Sequence, residues 1–371
     1  MEEALLYKKL KDPEGVAARP YGASKKVYPV KSRKAGALPL AEQFNRVQCQ
    51  NCAHYCVILP GKRGICGIRE NIDGKLYALN YGKAIACHID PIEKKPFFHF
   101  LPGSYSLSIA TVGCNYICKN CQNWDISQAP KPNKPILGED LPPKKVIELA
   151  IKNNLPSISY TYTEPAVFSE YALDTMKLAK KEGLKNNWVT NGFLSKELLE
   201  IISPYLDAAN VDLKGFAEEF YQKNCGGRLQ PVLDTLIQMK KKKIWVEVTT
   251  LVIPTLSDSE KMFKDIAKFI KEALGPETPW HISQFCGAIS WKLQHIPDTP
   301  VETLEKAWKI GKEAGLKYVY TGNVPGLPSE DTFCPKCKTV CIDRTNYIIH
   351  RHDKNGKCPK CGQDLNLITQ A

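Results

Sequence analysis

Three cysteines in the run Gly113-Cys114-Asn115-Tyr116-Ile117-Cys118-Lys119-Asn120-Cys121-Gln122-Asn123-Trp124 carry the most specific chemistry in the chain. Their spacing, C-x3-C-x2-C, places three thiolates in one tight loop. A structural zinc or a closed iron–sulfur cluster takes four protein ligands, whereas three thiolates on a [4Fe-4S] cube leave one iron open to a small molecule. No free fourth ligand follows nearby, which sets the loop apart from half of a zinc site.

Two further cysteine groups have metal-ligand spacing. Cys334-x2-Cys337 and Cys358-x2-Cys361, twenty residues apart, fit a zinc ribbon in which two knuckles give a tetrahedral S4 site. Each knuckle carries Pro after its first cysteine and Gly362 follows the second, as tight thiolate turns require. A tail this short cannot hold a core unaided, so metal binding would supply much of its folding free energy. Rubredoxin-type iron is the rival metal, and Cys341 reads as a bystander. Cys49, Cys52, Cys56 and Cys66, at C-x2-C-x3-C-x9-C, also offer four thiolates. They could close around structural zinc or an auxiliary [4Fe-4S] cluster that passes electrons onward. His54 could replace one of them, and Cys87, His88 and His99 are spare donors. His99 reads better as a packed or hydrogen-bonded histidine.

The elements that must position these groups follow from the hydrophobic pattern. Residues 1–45 are proline-rich and lack periodicity, which predicts an extended lead segment wrapped on the surface. Residues 46–100 read as a small Cys-rich metal-binding module of short strands and loops, and residues 329–371 as the zinc-ribbon-like tail. Across 101–328, apolar strand-like runs recur at 105–112, 157–162, 187–190, 208–212, 244–253, 280–285 and 318–321. Between them lie amphipathic helical patterns at 143–153, 169–181, 196–202, 231–241, 259–273 and 301–314. Repeated strand–helix units imply an α/β fold with a parallel sheet and right-handed crossovers. About six units suit a partial, open β/α barrel better than a closed one of eight. In such a sheet the chemistry sits at the carboxyl ends of the strands. The cluster loop follows the first strand, Glu164 the second, Thr190 and Asn191 the third, and Asp212 with Lys214 the fourth. The bland alternatives are a capping carboxylate for Glu164 and a surface ion pair for Asp212 with Lys214. Their shared place at successive strand ends favours a site.

Composition narrows the class. The chain has 371 residues, no apolar run long enough for a membrane span, and an N-terminus, MEEALLYKKLKDPEG, without the apolar core of a signal peptide. Most of its 15 cysteines fall in tight groups, which indicates metal and cluster ligation in a reducing cytoplasm rather than disulfides. The net charge of +12 raises nucleic acid as a partner, but the lysines spread along helix faces, which disfavours it. A basic surface equally suits an acidic electron donor of the flavodoxin or ferredoxin type.

Taken together, CQNCAHYC, IEKKPFFHFLPGS, TVGCNYICKNCQNWDIS, YTYTEPAVF, VTNGF, VDLKGF and YVYTGNVPG resemble the AmmeMemoRadiSam system radical SAM enzyme, a family itself similar to pyruvate formate-lyase activating enzymes. The likeness runs from about residue 46 onward. It implies that the open iron chelates the amino and carboxylate groups of S-adenosylmethionine (SAM). One electron then cleaves the sulfonium, and the resulting 5'-deoxyadenosyl radical abstracts hydrogen from a substrate. On this resemblance Glu164 would accept the SAM amino group, Thr190 and Asn191 would hold its carboxylate or ribose, and Asp212 with Lys214 would help bind a monovalent cation near SAM. The family name describes genomic company with two other proteins and states no substrate. The chain departs from the family pattern at Asn120, where an aromatic residue commonly packs near the adenine, and at Gln284 and Cys286, in HISQFCG. The rival functions are an activase that installs a glycyl radical on a partner enzyme and a basic zinc-ribbon protein that binds nucleic acid.

Overall fold

A computed structural model describes residues 1–10, 45–324, 326–345 and 347–369. Its centre is an eight-stranded sheet in which spatial order follows chain order: Ala86–Pro91, Tyr105–Ala110, Ser157–Tyr160, Lys185–Thr190, Ala208–Asp212, Trp245–Val252, Trp280–Gln284 and Val319–Gly322. The last seven are parallel and correspond to the seven strand-like runs read from the sequence, with the six helical patterns between them. Ala86–Pro91, read as part of the Cys-rich module, pairs antiparallel with Tyr105–Ala110 at one edge. Because every crossover steps the same way, right-handedness sends the connecting helices to one face and the sheet curls around the other.

The strand sequences encode those two faces. Ile158, Tyr160, Trp188, Val211, Val248, Trp280 and Ile282 share one apolar core with the helices. The alternate positions are polar yet buried, and they pair across strands: Ser106 with Ser159 at 2.7 Å, Ser159 with Asn187 at 2.7 Å, Thr249 with Asn210 at 2.8 Å. The helices begin on side-chain caps where the sequence offers them. Ser195 Oγ accepts from Leu198 N ahead of Lys196–Ile202, and Ser259 Oγ from Met262 N ahead of Glu260–Phe269. The single helix expected over 259–273 divides into that α-helix and a π-helical turn, Ile270–Leu274, closed by Gly275 at φ 102°.

A polar-lined concave face needs a filler, and residues 92–101 supply it. Ile92, Phe97, Phe100 and Leu101 pack on Val189, Ala208 and Trp245 inside the curl, and Phe98 packs on Tyr318 and Tyr320. One carboxylate fixes this plug. Glu247, fully buried, accepts from the backbone N–H groups of Phe98 (3.0 Å), His99 (2.9 Å) and Phe100 (3.2 Å), from Trp245 Nε1 (3.1 Å) and from His281 Nε2 (2.7 Å). Burial alone would raise its pKa, but the His281 hydrogen bond and charge, with the other donors, hold it down at about 2. His99 is packed and hydrogen-bonded: Nδ1 donates to the Asn366 carbonyl (3.2 Å), so Nε2 accepts from Tyr320 Oη (2.6 Å).

Short strands frame both ends. Glu2–Glu3 pairs with Lys75–Ala78, and Tyr7–Lys9 pairs with Val47–Cys49 in the N-terminal module. The rest of the expected lead segment, residues 11–44, lies outside the described residues. Arg69 docks the module onto helix Ser169–Lys181 through a buried bidentate pair with Glu170, both contacts at 2.6 Å. At the other end, Thr332–Phe333, Val340–Thr345 and Ile348–Arg351 form an antiparallel sheet. Among the described residues no helix is long and apolar enough to cross a membrane.

Replacing Glu247 by Gln keeps the shape but turns an acceptor-only group into one that cannot satisfy all five donors. The expected loss is about 3–5 kcal/mol of unfolding free energy, read from the guanidinium midpoint. The carboxylate's contribution is present above its ordinary pKa of 4.5 and is lost as pH falls toward about 2, so acid should destabilise the wild type over that window more than Glu247→Gln.

Candidate active site

A cavity of about 650 Å³ opens at the carboxyl ends of the parallel strands, above the plug. All eight residues expected there line it: Cys114, Cys118, Cys121, Glu164, Thr190, Asn191, Asp212 and Lys214. The cysteine loop leaves strand Tyr105–Ala110 through Gly113, at φ 103°, where a Cβ would meet the Cys66 carbonyl at 3.1 Å and Ile68 Cγ2 at 2.9 Å. Lys131 Nζ then staples the loop, donating to the Cys114 carbonyl (2.7 Å) and the Tyr116 carbonyl (3.1 Å). The sulfurs already have polar neighbours: Tyr116 N donates to Cys114 Sγ at 3.4 Å, and Ser127 Oγ lies 3.5 Å from Cys121 Sγ.

The strand-end residues organise one another as well as the cavity. Glu164 Oε1 accepts from Ala166 N (3.1 Å) and Thr190 Oγ1 (2.7 Å), and Oε2 accepts from Asn191 N (2.8 Å). It is therefore both a cap and a lining carboxylate. Burial pushes its pKa up to about 7, against the pull of those donors. Asn191 spans to the cysteine loop, with Nδ2 donating to Asn115 Oδ1 at 2.7 Å. Asp212 and Lys214 pair at 2.7 Å on the cavity wall. Burial would lower the Lys214 pKa, but Asp212 and the neighbouring Cys118 outweigh it and hold the ammonium charged.

Several site residues were missed from the sequence. Cys225 ends the π-helical turn Tyr221–Cys225, and its thiol neighbours that of Cys118. The same turn braces the loop: Ile117 N donates to the Cys225 carbonyl and Lys119 N to the Asn224 carbonyl, each at 2.9 Å. Asn224 Nδ2 holds Asn120 Oδ1 at 2.8 Å, so Asn120 is committed to the turn. The only signal in the sequence was Asn224-Cys225-Gly226-Gly227, whose glycines allow the turn to approach Ile117 and Tyr116. Lys94, Lys95 and Arg344 add cations to the wall. Lys95 pairs with Asp90 at 2.6 Å, and burial takes its pKa down to about 8. Arg344 reaches in from the tail, stacks on Phe98 at 4.2 Å and donates to the Phe98 carbonyl at 2.9 Å. Gln284 instead donates to the Thr299 carbonyl at 2.8 Å, and neither it nor Cys286 lines the cavity.

Residues 108–270 match the sequence model of the radical SAM superfamily. The uncharacterized protein MJ0808 of Methanocaldococcus jannaschii is 45% identical over 327 residues, covering 87% of this chain and 96% of that protein. The chain belongs to the radical SAM superfamily. From the same organism, the putative glycyl-radical enzyme activating enzyme MJ1632 is 28% identical, covering 58% of this chain and 79% of its own. The pyruvate formate-lyase 1-activating enzyme of Escherichia coli K12 is 25% identical, covering 56% of this chain and 89% of its own.

A radical SAM enzyme carries a [4Fe-4S] cluster and SAM, and the residues present fit both. Three soft thiols line a cavity large enough for a nucleoside-sized ligand, together with carboxylate, amide and ammonium groups. These thiols are not gathered as they would be around a single ion. Among the described residues, the one group of metal-binding side chains converging within 4.8 Å is Cys334, Cys337, Cys358 and Cys361. There Cys334 and Cys361 Sγ are 3.6 Å apart, and Cys337 and Cys358 Sγ 3.5 Å. Four thiolates at a tetrahedral zinc would stand roughly 3.8 Å apart. Cys341 Sγ turns instead to the Thr339 carbonyl at 3.4 Å, outside the four.

Two outcomes follow. Cys225→Ser should leave iron and sulfide loading of the barrel loop intact while Cys118→Ser abolishes it; equal loss in both would make Cys225 a fourth ligand. Cys358→Ala should release the ribbon's metal and open residues 329–369 to limited proteolysis, with the barrel left resistant.

Proposed function

We propose that this radical SAM enzyme uses Cys114, Cys118 and Cys121 to hold the cluster, and Glu164, Thr190, Asn191, Asp212 and Lys214 to hold SAM and its cation. The observation that carries the reading is that all eight residues line one cavity. When bound, the cluster and SAM supply a 5'-deoxyadenosyl radical that removes a hydrogen atom from the substrate. The chain's own residues do the rest. The Asp212–Lys214 pair sets charge beside Cys118, and Glu164, fixed by three donors, presents a carboxylate in one orientation. Tyr347 and Ile349 of the tail add an aromatic and an aliphatic side chain to the cavity lining.

The sequence resemblance assigns the chain to the AmmeMemoRadiSam system, with the two companion proteins of that system as candidate suppliers or users of its substrate. The reading places it in the cytoplasm, with zinc in the C-terminal ribbon. A low-potential electron donor of the flavodoxin or ferredoxin type suits its basic surface. A glycyl-radical activase is the second reading, favoured by the names of the relatives MJ1632 and the Escherichia coli enzyme. An activase must admit a segment of another protein. The tail residues Glu330, Arg344, Tyr347 and Ile349 on the cavity wall favour a smaller substrate.

Anaerobic reconstitution and reduction with SAM tests the proposal by mass-spectrometric detection of 5'-deoxyadenosine. Wild type should produce it, and Cys118→Ala, folded but lacking a cluster ligand, should lose at least about 100-fold. Equal production by both would remove the cluster from this loop. A glycyl-radical doublet raised on a partner enzyme would favour the activase.

A further inference from the structure

We propose that Cys49, Cys52, Cys56 and Cys66 hold a second [4Fe-4S] cluster, and not zinc. The four thiols line a separate small cavity, of about 20 Å³, together with Asn51, His54, Arg69 and Asn115. The ribbon at the other end of the chain is an internal standard for a single-ion site, and it is built differently. Its four sulfurs lie within 4.8 Å of one another, whereas no three of Cys49, Cys52, Cys56 and Cys66 do. On a cubane each thiolate binds a different iron, so the ligand sulfurs stand roughly 6 Å apart with the inorganic core between them. A void ringed by four separated thiols matches that arrangement. Single-ion coordination would require the ring to collapse.

The polar groups around the void point the same way. Arg69 and Asn115 bring polar side chains to the lining of the void, beside Cys49, Cys52, Cys56 and Cys66. Arg69 is 1% exposed, and its two terminal nitrogens are taken by Glu170, but Nε is a buried donor without a partner among the described residues. A cubane offers inorganic sulfides as acceptors beyond its thiolates, which a zinc ion does not. His54, the alternative ligand, donates from Nε2 to the Asn115 carbonyl at 2.8 Å, and its ring joins no group of three donor atoms converging within 4.8 Å among the described residues.

The place of the site gives it a use. The Cys66 carbonyl lies against Gly113, next to Cys114, and Cys52 bridges to Leu194 beyond the Thr190–Gly192 turn. The two cysteine sets are therefore neighbours through the backbone itself.

Three preparations, reconstituted anaerobically with iron and sulfide in the presence of zinc, decide the matter by metal analysis and electron paramagnetic resonance. Wild type should hold about eight iron and about one zinc per chain. Cys114→Ala/Cys118→Ala/Cys121→Ala should retain about four iron and about four sulfide, with the signal of a reduced cubane. Cys49→Ser/Cys66→Ser should lose that signal and keep the barrel cluster, whose spectrum still responds to SAM. About two zinc and no iron in the triple variant would overturn the proposal, as would about four iron in wild type that vanish with the barrel cysteines. Because the triple variant lacks the barrel cluster, its result stands apart from whether SAM is cleaved.

Discussion

The molecule depends on one buried charge. A sheet that curls with all its helices outside leaves a polar inner face, and that face must be filled without abandoning its hydrogen bonds. Glu247 meets the demand by gathering three consecutive backbone N–H groups of the plug, together with Trp245 and His281, onto one carboxylate. A neutral side chain could not satisfy so many donors at once. The plug then becomes the floor of the cavity, and His281, anchored beneath, presents its ring to the wall. The site above is rigid because its floor is bonded to the strands that form its sides.

The three cysteine groups use the same donor atom for different ends, and the backbone decides which. In the ribbon, two tight knuckles bring four sulfurs into mutual contact. In the barrel loop, Lys131, Ser127 and the turn ending at Cys225 spread three thiols along a cavity wall. In the N-terminal module, short strands hold four thiols around a void. Ligand identity alone does not choose the metal; the distance between ligands does.

Much of this was legible because the strand–helix alternation is strong and its inner positions are small polar residues. Helices Ser169–Lys181 and Lys196–Ile202 fall where their periodicity put them, and the strand ends deliver Glu164, Asp212 and Lys214 to one cavity. What escaped was non-local. Glu247 sits in Trp-Val-Glu-Val-Thr-Thr, where an alternating acid reads as solvent-facing, and only the curl of the sheet buries it. Ile92–Leu101 has no periodicity, since a plug is shaped by its socket. Cys225 lies more than a hundred residues from its neighbour Cys118, and linear spacing carries no information at that range. The spacing of Cys49 to Cys66 was equally silent on whether its sulfurs would converge.

The tail's grip on the plug also has a consequence for biosynthesis. Leu101 N donates to the Ile368 carbonyl and Ile368 N to the His99 carbonyl, while Asn366 sets the tautomer of His99. A chain emerging from the ribosome N-terminus first exposes its cysteine loop some 250 residues before these capping groups appear. The last groups to bond the floor of the cavity are therefore synthesised long after the cysteine loop and after Glu247, which holds the same plug from the sheet side.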